Sequence, residues 1–289
     1  MAAKKTILVT GATGQQGGAV ARCLLARGQN VRLLTRSPEK AKELTGKGAV
    51  VAPGDFENPE SLKEAVTGVD GVFLMGTPFD RGPEAEVRQG KAVVTACWKA
   101  GGSPHIVYSS VCGANLGTGI PHFESKARVE SYIKETGQTC TILRPVWFME
   151  NFSSPWLYPS IEKGVLSTPV RPERRLQMIA LSDIGEFASE AFLRPKEFIG
   201  QEIDLAGDEL AMEDIALQIS CAMNHEIRYE QIPDEKAESA VGRDFAQMYR
   251  WFNRQGYQVD IEELQNRWQI PLTRFSRWLG RSHLYRKAA

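Results

Sequence analysis

The sequence predicts an α/β protein built on a Rossmann-type, doubly wound parallel sheet, with a smaller mixed α/β region towards the C-terminus. Short apolar runs alternate with helix-like segments from residue 6 to residue 151, which is typical of successive β–α units. A glycine-rich loop follows the first apolar run at once and opens a helix. After residue 151 the alternation loosens and prolines accumulate. We therefore predict one domain over residues 1–152 and a smaller substrate or partner region over residues 153–289, with elements that return to the sheet.

The first β–α–β unit has the clearest pattern. Residues 6–10 (TILVT) are β-branched or apolar on both faces, as expected of a central strand in a parallel sheet. Residues 18–27 repeat apolar side chains at helical spacing, and Gly28 follows, a residue type that commonly ends a helix. Residues 31–35 (VRLLT) then give the second strand.

The same patterns extend the sheet to six strands. Further strands are predicted over residues 50–52, 71–75, 105–109 and 140–143, and further helices over residues 38–46, 59–66, 84–100 and 125–136. Right-handed crossovers between these elements place the strands parallel, with helices on both faces. In the C-terminal region we predict helices over residues 182–193, 211–223, 240–252 and 272–279, and strands over residues 202–206 and 227–232.

The charge balance argues against several classes of partner. Lysine plus arginine and aspartate plus glutamate number 35 each, so the formal net charge is zero and predicts no attraction to nucleic acid or to an anionic membrane. No apolar run approaches a membrane-spanning length, and the first residues lack the pattern of a signal peptide. Five scattered cysteines without a Cys-x-x-Cys pair fit free thiols. We expect a cytoplasmic protein with no direct nucleic-acid partner and no membrane contact.

The glycine-rich loop has the spacing G-x-x-G-x-x-G. Glycine at 11 permits a tight turn, glycine at 14 lets the backbone approach a pyrophosphate, and glycine at 17 lets the helix and the strand pack closely. The amides and the positive dipole end of the following helix favour an anion. The loop thus predicts a nicotinamide dinucleotide, with pyrophosphate contacts from Gly11, Thr13, Gly14, Gln15, Gln16 and Gly17.

The end of the second strand predicts NADP(H) rather than NAD(H). NAD-binding members of this fold usually place an acidic residue there for the ribose 2′-hydroxyl. This chain has Arg36, whose guanidinium can pair with a 2′-phosphate that an acidic residue would repel. Lys40 either reinforces this site or lies on a solvated helix face.

Loops after two further strands complete the predicted cofactor site. Asp55 and Phe56 follow the third strand, where this fold commonly contacts adenine, and Gly76 and Thr77 follow the fourth, on the ribose and nicotinamide side. The four histidines have no paired metal-ligand spacing, so no metal site is predicted. The chain also lacks a G-x-S-x-G elbow and a Walker lysine after the glycines.

A set of short motifs runs through the chain, most of it in the first half. The motifs lie at residues 9–25, 36–38, 54–55, 107–110, 122–126, 143–152 and 180–188. Together they resemble the NmrA-like family, an atypical branch of the short-chain dehydrogenase/reductase superfamily. That resemblance implies NAD(P) binding. The family that the sequence resembles includes quinone and triphenylmethane reductases that use NADPH, redox sensors, and a fungal nitrogen regulator without evident chemistry.

The resemblance also implies a catalytic dyad, and here the chain departs from the superfamily pattern. The usual Tyr-x-x-x-Lys reads His122-Phe-Glu-Ser-Lys126. The resemblance implies that Lys126 bonds the nicotinamide ribose. The imidazole of His122 either serves as a general acid or base, or only lies beside the site. Ser109 and Ser110 either orient a substrate or only cap the fifth strand.

Aromatic and polar residues follow the sixth strand, beside the expected nicotinamide position. The resemblance implies cofactor contacts from Phe148 and Asn151. Trp147, Phe148 and Trp156 either form an apolar lid over a flat substrate or belong to the core.

Three functions stay open from the sequence. The first is an NADPH-dependent reductase of a small, flat electrophile such as a quinone or conjugated carbonyl, with the cofactor carrying the chemistry. The second is a non-enzymatic NADP(H) redox sensor that acts through protein partners. The third, a scaffold that has lost the ligand, is disfavoured by the intact glycine loop. A small-molecule substrate, a homodimer and a regulatory protein partner are each compatible with this sequence.

Overall fold

The computed structural model describes residues 4–286, and within them the chain forms two compact units. The first unit contains residues 4–144 and 184–204, and the second contains residues 145–183 and 205–286. The chain therefore leaves the first unit after the sixth strand, returns to it for about twenty residues, and leaves it again. No helix within residues 4–286 is both long and apolar enough to span a bilayer.

The helices and strands run in the following order. Up to residue 145 they are β1 Thr6–Val9, α1 Gln15–Ala26, β2 Asn30–Thr35, α2 Lys42–Thr45, β3 Val50–Pro53, α3 Pro59–Val66, β4 Gly71–Leu74, α4 Pro83–Lys99, β5 His105–Ser109, α5 Pro121–Glu135 and β6 Cys140–Pro145. Short 3₁₀ helices cover Pro38–Ala41 and Ala114–Leu116.

The later elements alternate between the two units. They are β7 Trp147–Phe148, a 3₁₀ helix Met149–Ser153, α6 Tyr158–Ile161, β8 Val165–Thr168, β9 Arg175–Ile179, α7 Leu181–Leu193, α8 Pro195–Phe198, β10 Glu202–Leu205, β11 Asp208–Ala211, α9 Met212–Met223, β12 Arg228–Gln231, α10 Asp234–Val241, α11 Arg243–Arg254, α12 Ile261–Trp268, α13 Phe275–Leu279 and α14 His283–Arg286.

The main sheet confirms the predicted fold class. Its seven strands lie in the order β10-β6-β5-β4-β1-β2-β3, and the neighbours from β3 to β6 pair in parallel. The strand order reverses between β1 and β4, which is the point where open α/β sheets bind ligands outside the carboxyl ends of their strands. The Thr10 side chain joins these two strand ends, because its Oγ1 accepts from the Met75 amide at 2.9 Å.

Helices cover both faces of the sheet. On one face α3, α4 and α5 bury apolar side chains against β1, β2, β4, β5 and β6. On the other face α7 approaches α1 so closely that a Cβ on Gly185 would lie 2.8 Å from the Cys23 sulfur. Strands covered on both faces explain the continuous apolar runs in the sequence.

Three differences from the predicted elements concern the site. Helix α1 begins at Gln15 rather than residue 18, and α5 begins at Pro121 rather than residue 125. Proline suits the first helical position because it has no amide to leave unpaired. The predicted helix over residues 38–46 is divided into a 3₁₀ turn and a short α-helix. The predicted strand near residue 202 is β10, at the edge of the main sheet.

The second unit has its own small sheets. Strands β11, β9 and β7 form one, with β11 antiparallel and β7 parallel to β9, and β12 pairs in parallel with β8. Carboxylates hold the segment around α13: Asp183 accepts from the Thr273 amide at 2.7 Å, and Asp208 accepts from the Phe275 amide at 2.8 Å. Glu150 accepts from the Trp278 indole at 3.0 Å, and burial raises the pKa of this carboxyl to about 7.

Candidate functional site

A cavity of about 310 Å³ lies in the first unit, where the loops after β1, β2, β3 and β4 meet. It brings together ten residues that the sequence assigned to a cofactor site. Those residues are Gly11, Thr13, Gly14, Gln15, Gln16, Arg36, Asp55, Phe56, Gly76 and Thr77. The cavity therefore lies at the switch point of the sheet, and residues far apart in the chain converge on it.

The glycine loop is shaped by close backbone approaches. Gly11 has a φ of +62°, and a Cβ there would lie 2.2 Å from the Met75 sulfur. Gly17 does not line the cavity; a Cβ on it would lie 2.5 Å from backbone atoms of Gly11 and Thr10. Both glycines are thus required by geometry, one by its conformation and one by contact between α1 and the end of β1.

The first turn of α1 lies next to this loop. Gly14 precedes the helix, so no side chain caps it. The amides of Gln15, Gln16 and Gly17 belong to the first turn, where an α-helix supplies no internal acceptor. Three N–H donors and the positive end of the helix dipole therefore lie beside the cavity, which favours an anionic group.

Cationic side chains line the same cavity. Arg36 and Lys40 are exposed on its wall after β2, and Arg81 lies on the wall after β4, with Asp80 beside it. Sequence reasoning did not single out Arg81. The available signal was its position seven residues after the end of β4, in the loop that a Rossmann-type sheet presents to its ligand.

Lys126 contacts the edge of the cavity through Gly76. Its Nζ donates to the Gly76 carbonyl at 3.3 Å and to Glu86 Oε1 at 2.7 Å. Glu86 is 1% exposed, and the hydroxyl of Ser125 donates to its second oxygen. The sequence prediction identified the lysine and missed the carboxylate. The periodicity of α4 assigns Glu86 to its buried face, and this was the available signal.

His122 lies one turn before Lys126 in α5, so both side chains are on the same face of the helix. The imidazole is 6% exposed. Its ring centroid lies 5.7 Å from that of Phe79 and 4.8 Å from that of Phe123. The structure thus places the predicted pair side by side. A catalytic role for either residue stays a prediction.

Two serines end β5 with buried hydroxyl groups. Ser109 is 1% exposed and Ser110 is 3% exposed, and neither Oγ has a hydrogen-bond partner within residues 4–286. Side-chain capping of the strand is therefore not their role in this structure. A buried hydroxyl without a partner is costly, so a ligand that bonds it would gain affinity.

The residues predicted after β6 belong to the second unit. Trp147 is buried, and its ring packs against Trp156, Tyr249 and Phe252, so it is a core residue rather than part of a lid. Trp156 is 55% exposed. Cofactor contacts by Phe148 and Asn151 stay predictions.

Three cysteines, one half-buried and two buried, are poor candidates for thiol chemistry. Burial, with Glu186 nearby, raises the pKa of the Cys23 thiol to about 12, and burial alone does the same for Cys97. The pKa of Cys112 is raised by the same cause. Because the thiolate is the reactive form, these three side chains behave as small hydrophobes. Within residues 4–286, no cluster of His, Cys, Asp or Glu is suited to a metal ion.

The strand order and the glycine loop at the β1–β4 switch define a protein of the Rossmann-type α/β class. Within that class, the chain belongs to the NmrA-like family, whose sequence profile matches residues 3–279. This match confirms the resemblance found in the motifs, and it extends through nearly the whole chain.

Known relatives and solved structures differ in what they do. The NAD(P)H azoreductase of Xenophilus azovorans is 30% identical over 236 residues, which cover 81% of this chain and 80% of that protein. The Citrobacter sp. triphenylmethane reductase, solved with NADP(H), has a TM-score of 0.80 at 24% identity and covers 98% of this chain and 100% of its own. NmrA, a negative transcriptional regulator solved with NAD, has a TM-score of 0.79 at 21% identity, with coverage of 96% and 94%. The two structural likenesses concern the fold.

Proposed function

We propose that this protein is an NADPH-dependent reductase that passes a hydride to a small, flat electrophile such as a quinone or a conjugated carbonyl. The observation that carries the proposal is the cavity itself, in which the amides of α1 and the guanidinium of Arg36 converge. The azoreductase and the triphenylmethane reductase named above add support, because both are reductases of the same family or fold.

The residues of the cavity fit NADP(H). The first-turn amides of α1 would hold the pyrophosphate, and glycine at 11 and at 17 permits the tight turn and the close approach of α1 that bring those amides to the loop. Arg36 would pair with the 2′-phosphate, assisted by Lys40. Asp55 and Phe56 would contact the adenosine, and Gly76 and Thr77 the nicotinamide ribose. Phe148 and Asn151 are proposed to contact the nicotinamide.

The bound cofactor would supply a hydride, and the protein would supply orientation and protons. Reduction of a conjugated carbonyl adds a hydride at carbon and needs one proton at the enolate that forms. The imidazole of His122 would provide that proton, and the hydroxyl groups of Ser109 and Ser110, which have no partner within residues 4–286, would bond the carbonyl oxygen. Hydride transfer to a quinone gives the hydroquinone monoanion, a delocalised phenolate that needs one proton and can take it from water.

One observation favours a second candidate, a redox sensor that binds NADP(H) without chemistry. His122 replaces the tyrosine of the usual dyad, and Lys126 is already paired with a buried carboxylate. NmrA, a protein of the same fold, is a negative transcriptional regulator. A sensor would need the cofactor to bind two conformations with different affinity.

Turnover separates the two candidates. We expect NADPH oxidation with a panel of quinones and conjugated carbonyls. We also expect His122→Phe to lower the carbonyl rate at least about tenfold while largely sparing the quinone rate, because only the carbonyl needs a positioned acid. The decrease in NADPH absorbance with time measures the rate with each class of acceptor. Tight NADPH binding without turnover on any acceptor, together with a cofactor-dependent change of oligomer or partner, would favour the sensor.

Cofactor preference tests the assignment of Arg36. Arg36→Ala should weaken NADPH binding by about 10- to 100-fold, the value of a lost charge-assisted pair, and leave NADH binding nearly unchanged. Calorimetric titration of both cofactors measures the difference. Arg228→Ala, an exposed arginine outside this cavity, is the matched control. Equal affinity of the wild type for NADPH and NADH would show that Arg36 does not select the phosphate.

A further inference from the structure

Glu86 is a carboxylate buried in the first turn of α4, outside the wall of the cavity. Its two oxygens are both engaged, one by the Lys126 ammonium at 2.7 Å and the other by the Ser125 hydroxyl. It also packs on the cavity loop, because a Cβ on Gly76 would lie 3.1 Å from Glu86 Cγ. Glu86, Gly76 and Lys126 therefore form one contact group that links α4, α5 and the loop after β4.

The ion pair constrains how Lys126 can act. An ammonium group carries three donors, and Glu86 and Gly76 take two of them. One donor remains for a third acceptor. Two contacts already restrict the rotamers of the Lys126 side chain. It therefore loses less conformational entropy when it binds a ligand than an exposed lysine would.

From this geometry we infer that Glu86 is a positioning residue for cofactor binding. It holds the Lys126 ammonium against the Gly76 carbonyl, so that the remaining donor meets a hydroxyl of the nicotinamide ribose. This inference rests on the proposed cofactor site. Glu86, on α4, would support the cofactor site through Lys126 without touching the cofactor itself.

The pair also explains why glycine stands at position 76. A Cβ there would lie 3.1 Å from Glu86 Cγ and 3.3 Å from Glu86 Oε1, the oxygen that Lys126 contacts, so the Glu86 side chain would have to shift. The absence of a side chain at position 76 therefore leaves room for the Glu86–Lys126 ion pair and also for the cavity that Gly76 lines. Lys126 is 40 residues beyond Glu86 in the sequence, and the packing of α4 against α5 brings the two together.

A fragment of the cofactor separates positioning from a general structural role. Adenosine 2′,5′-bisphosphate carries the adenosine and the 2′-phosphate of NADPH but lacks the nicotinamide ribose. We expect Glu86→Gln to weaken NADPH binding about tenfold, the value of one charge-assisted hydrogen bond, and to leave binding of the fragment unchanged. Glu84→Gln, an exposed carboxylate two residues earlier that pairs with Arg128, is the matched control and should change neither affinity.

The outcomes are distinct. An equal loss for NADPH and the fragment would mean that Glu86 only supports the fold, and no loss for NADPH would remove Glu86 from the site; either result overturns the inference. A wild type that binds neither ligand overturns the proposed function, and the inference with it. If Glu86→Gln does not fold, Glu86→Asp, which keeps the charge and Lys126 but shortens the side chain by one methylene, must show the same selective loss of NADPH affinity.

Discussion

Replacing Lys126 with methionine should destabilise the protein by about 3–5 kcal/mol, the usual effect of removing one partner from a buried ion pair. Glu86 is 1% exposed and the Lys126 side chain 13% exposed, so little water can reach the carboxylate once the ammonium is gone. Methionine keeps most of the lysine's apolar stem and removes its charge. Urea unfolding at pH 7, followed by circular dichroism, measures the loss.

The double variant Glu86→Gln/Lys126→Met is the control for this prediction. It removes both charges, and glutamine can still accept from the Ser125 hydroxyl. Replacing a buried ion pair with uncharged groups is often nearly neutral, so the double variant should recover most of the lost free energy of unfolding. If the single and double variants were equally unstable, the unpaired carboxylate would not be the cause.

This coupling changes how a lysine substitution in the site must be interpreted. In a protein of this fold, loss of activity in a lysine variant is easily taken as loss of a catalytic group. Here the same substitution also leaves a buried carboxylate without its partner, and the displaced Glu86 lies against Gly76 on the cavity wall. Only a comparison with the double variant separates the chemistry from the packing.

Local sequence patterns were sufficient for the main sheet and for most of the cavity. Strands buried on both faces have continuous apolar runs, and their predicted positions agree with β1 to β6 within about two residues. The parallel order then places the loops after β1, β2, β3 and β4 at one edge of the sheet. Gly11, Arg36 and Asp55 therefore meet in the cavity although no local pattern connects them.

The residues missed by sequence reasoning depend on tertiary packing. The periodicity of α4 indicates that Glu86 is on the buried face of the helix, but only the packing of α4 against α5 reveals that its carboxylate pairs with Lys126. Arg81 lies in a loop whose path no periodicity predicts. In the second unit, β8, β9 and β11 are strands of only four or five residues, too short for periodicity to identify them, so their pairing could not be recognised from the sequence.

Gly17→Ala tests the loop on which the proposed cofactor site depends. The added Cβ would lie 2.5 Å from the carbonyl carbon and oxygen of Gly11 and from the Thr10 oxygen, all of them backbone atoms. Since backbone cannot rotate away as a side chain can, α1 or the loop must shift, and overpacking of this kind costs about 1–3 kcal/mol. A shift of the first-turn amides should lower NADPH affinity at least about 100-fold.

Gly18→Ala, one residue further along α1, is the matched control for this prediction. Its Cβ would lie 3.2 Å from the Ala12 oxygen and 3.4 Å from the Arg22 guanidinium, contacts that small adjustments relieve. Alanine also favours a helix over glycine by about 1 kcal/mol, which offsets the tighter contact. Titration of both variants with NADPH, and their unfolding in urea, should therefore show a large loss for Gly17→Ala and little change for Gly18→Ala. Equal behaviour of the two variants would mean that the approach of α1 to the end of β1 does not shape the cofactor site, and that the glycine at position 17 is incidental.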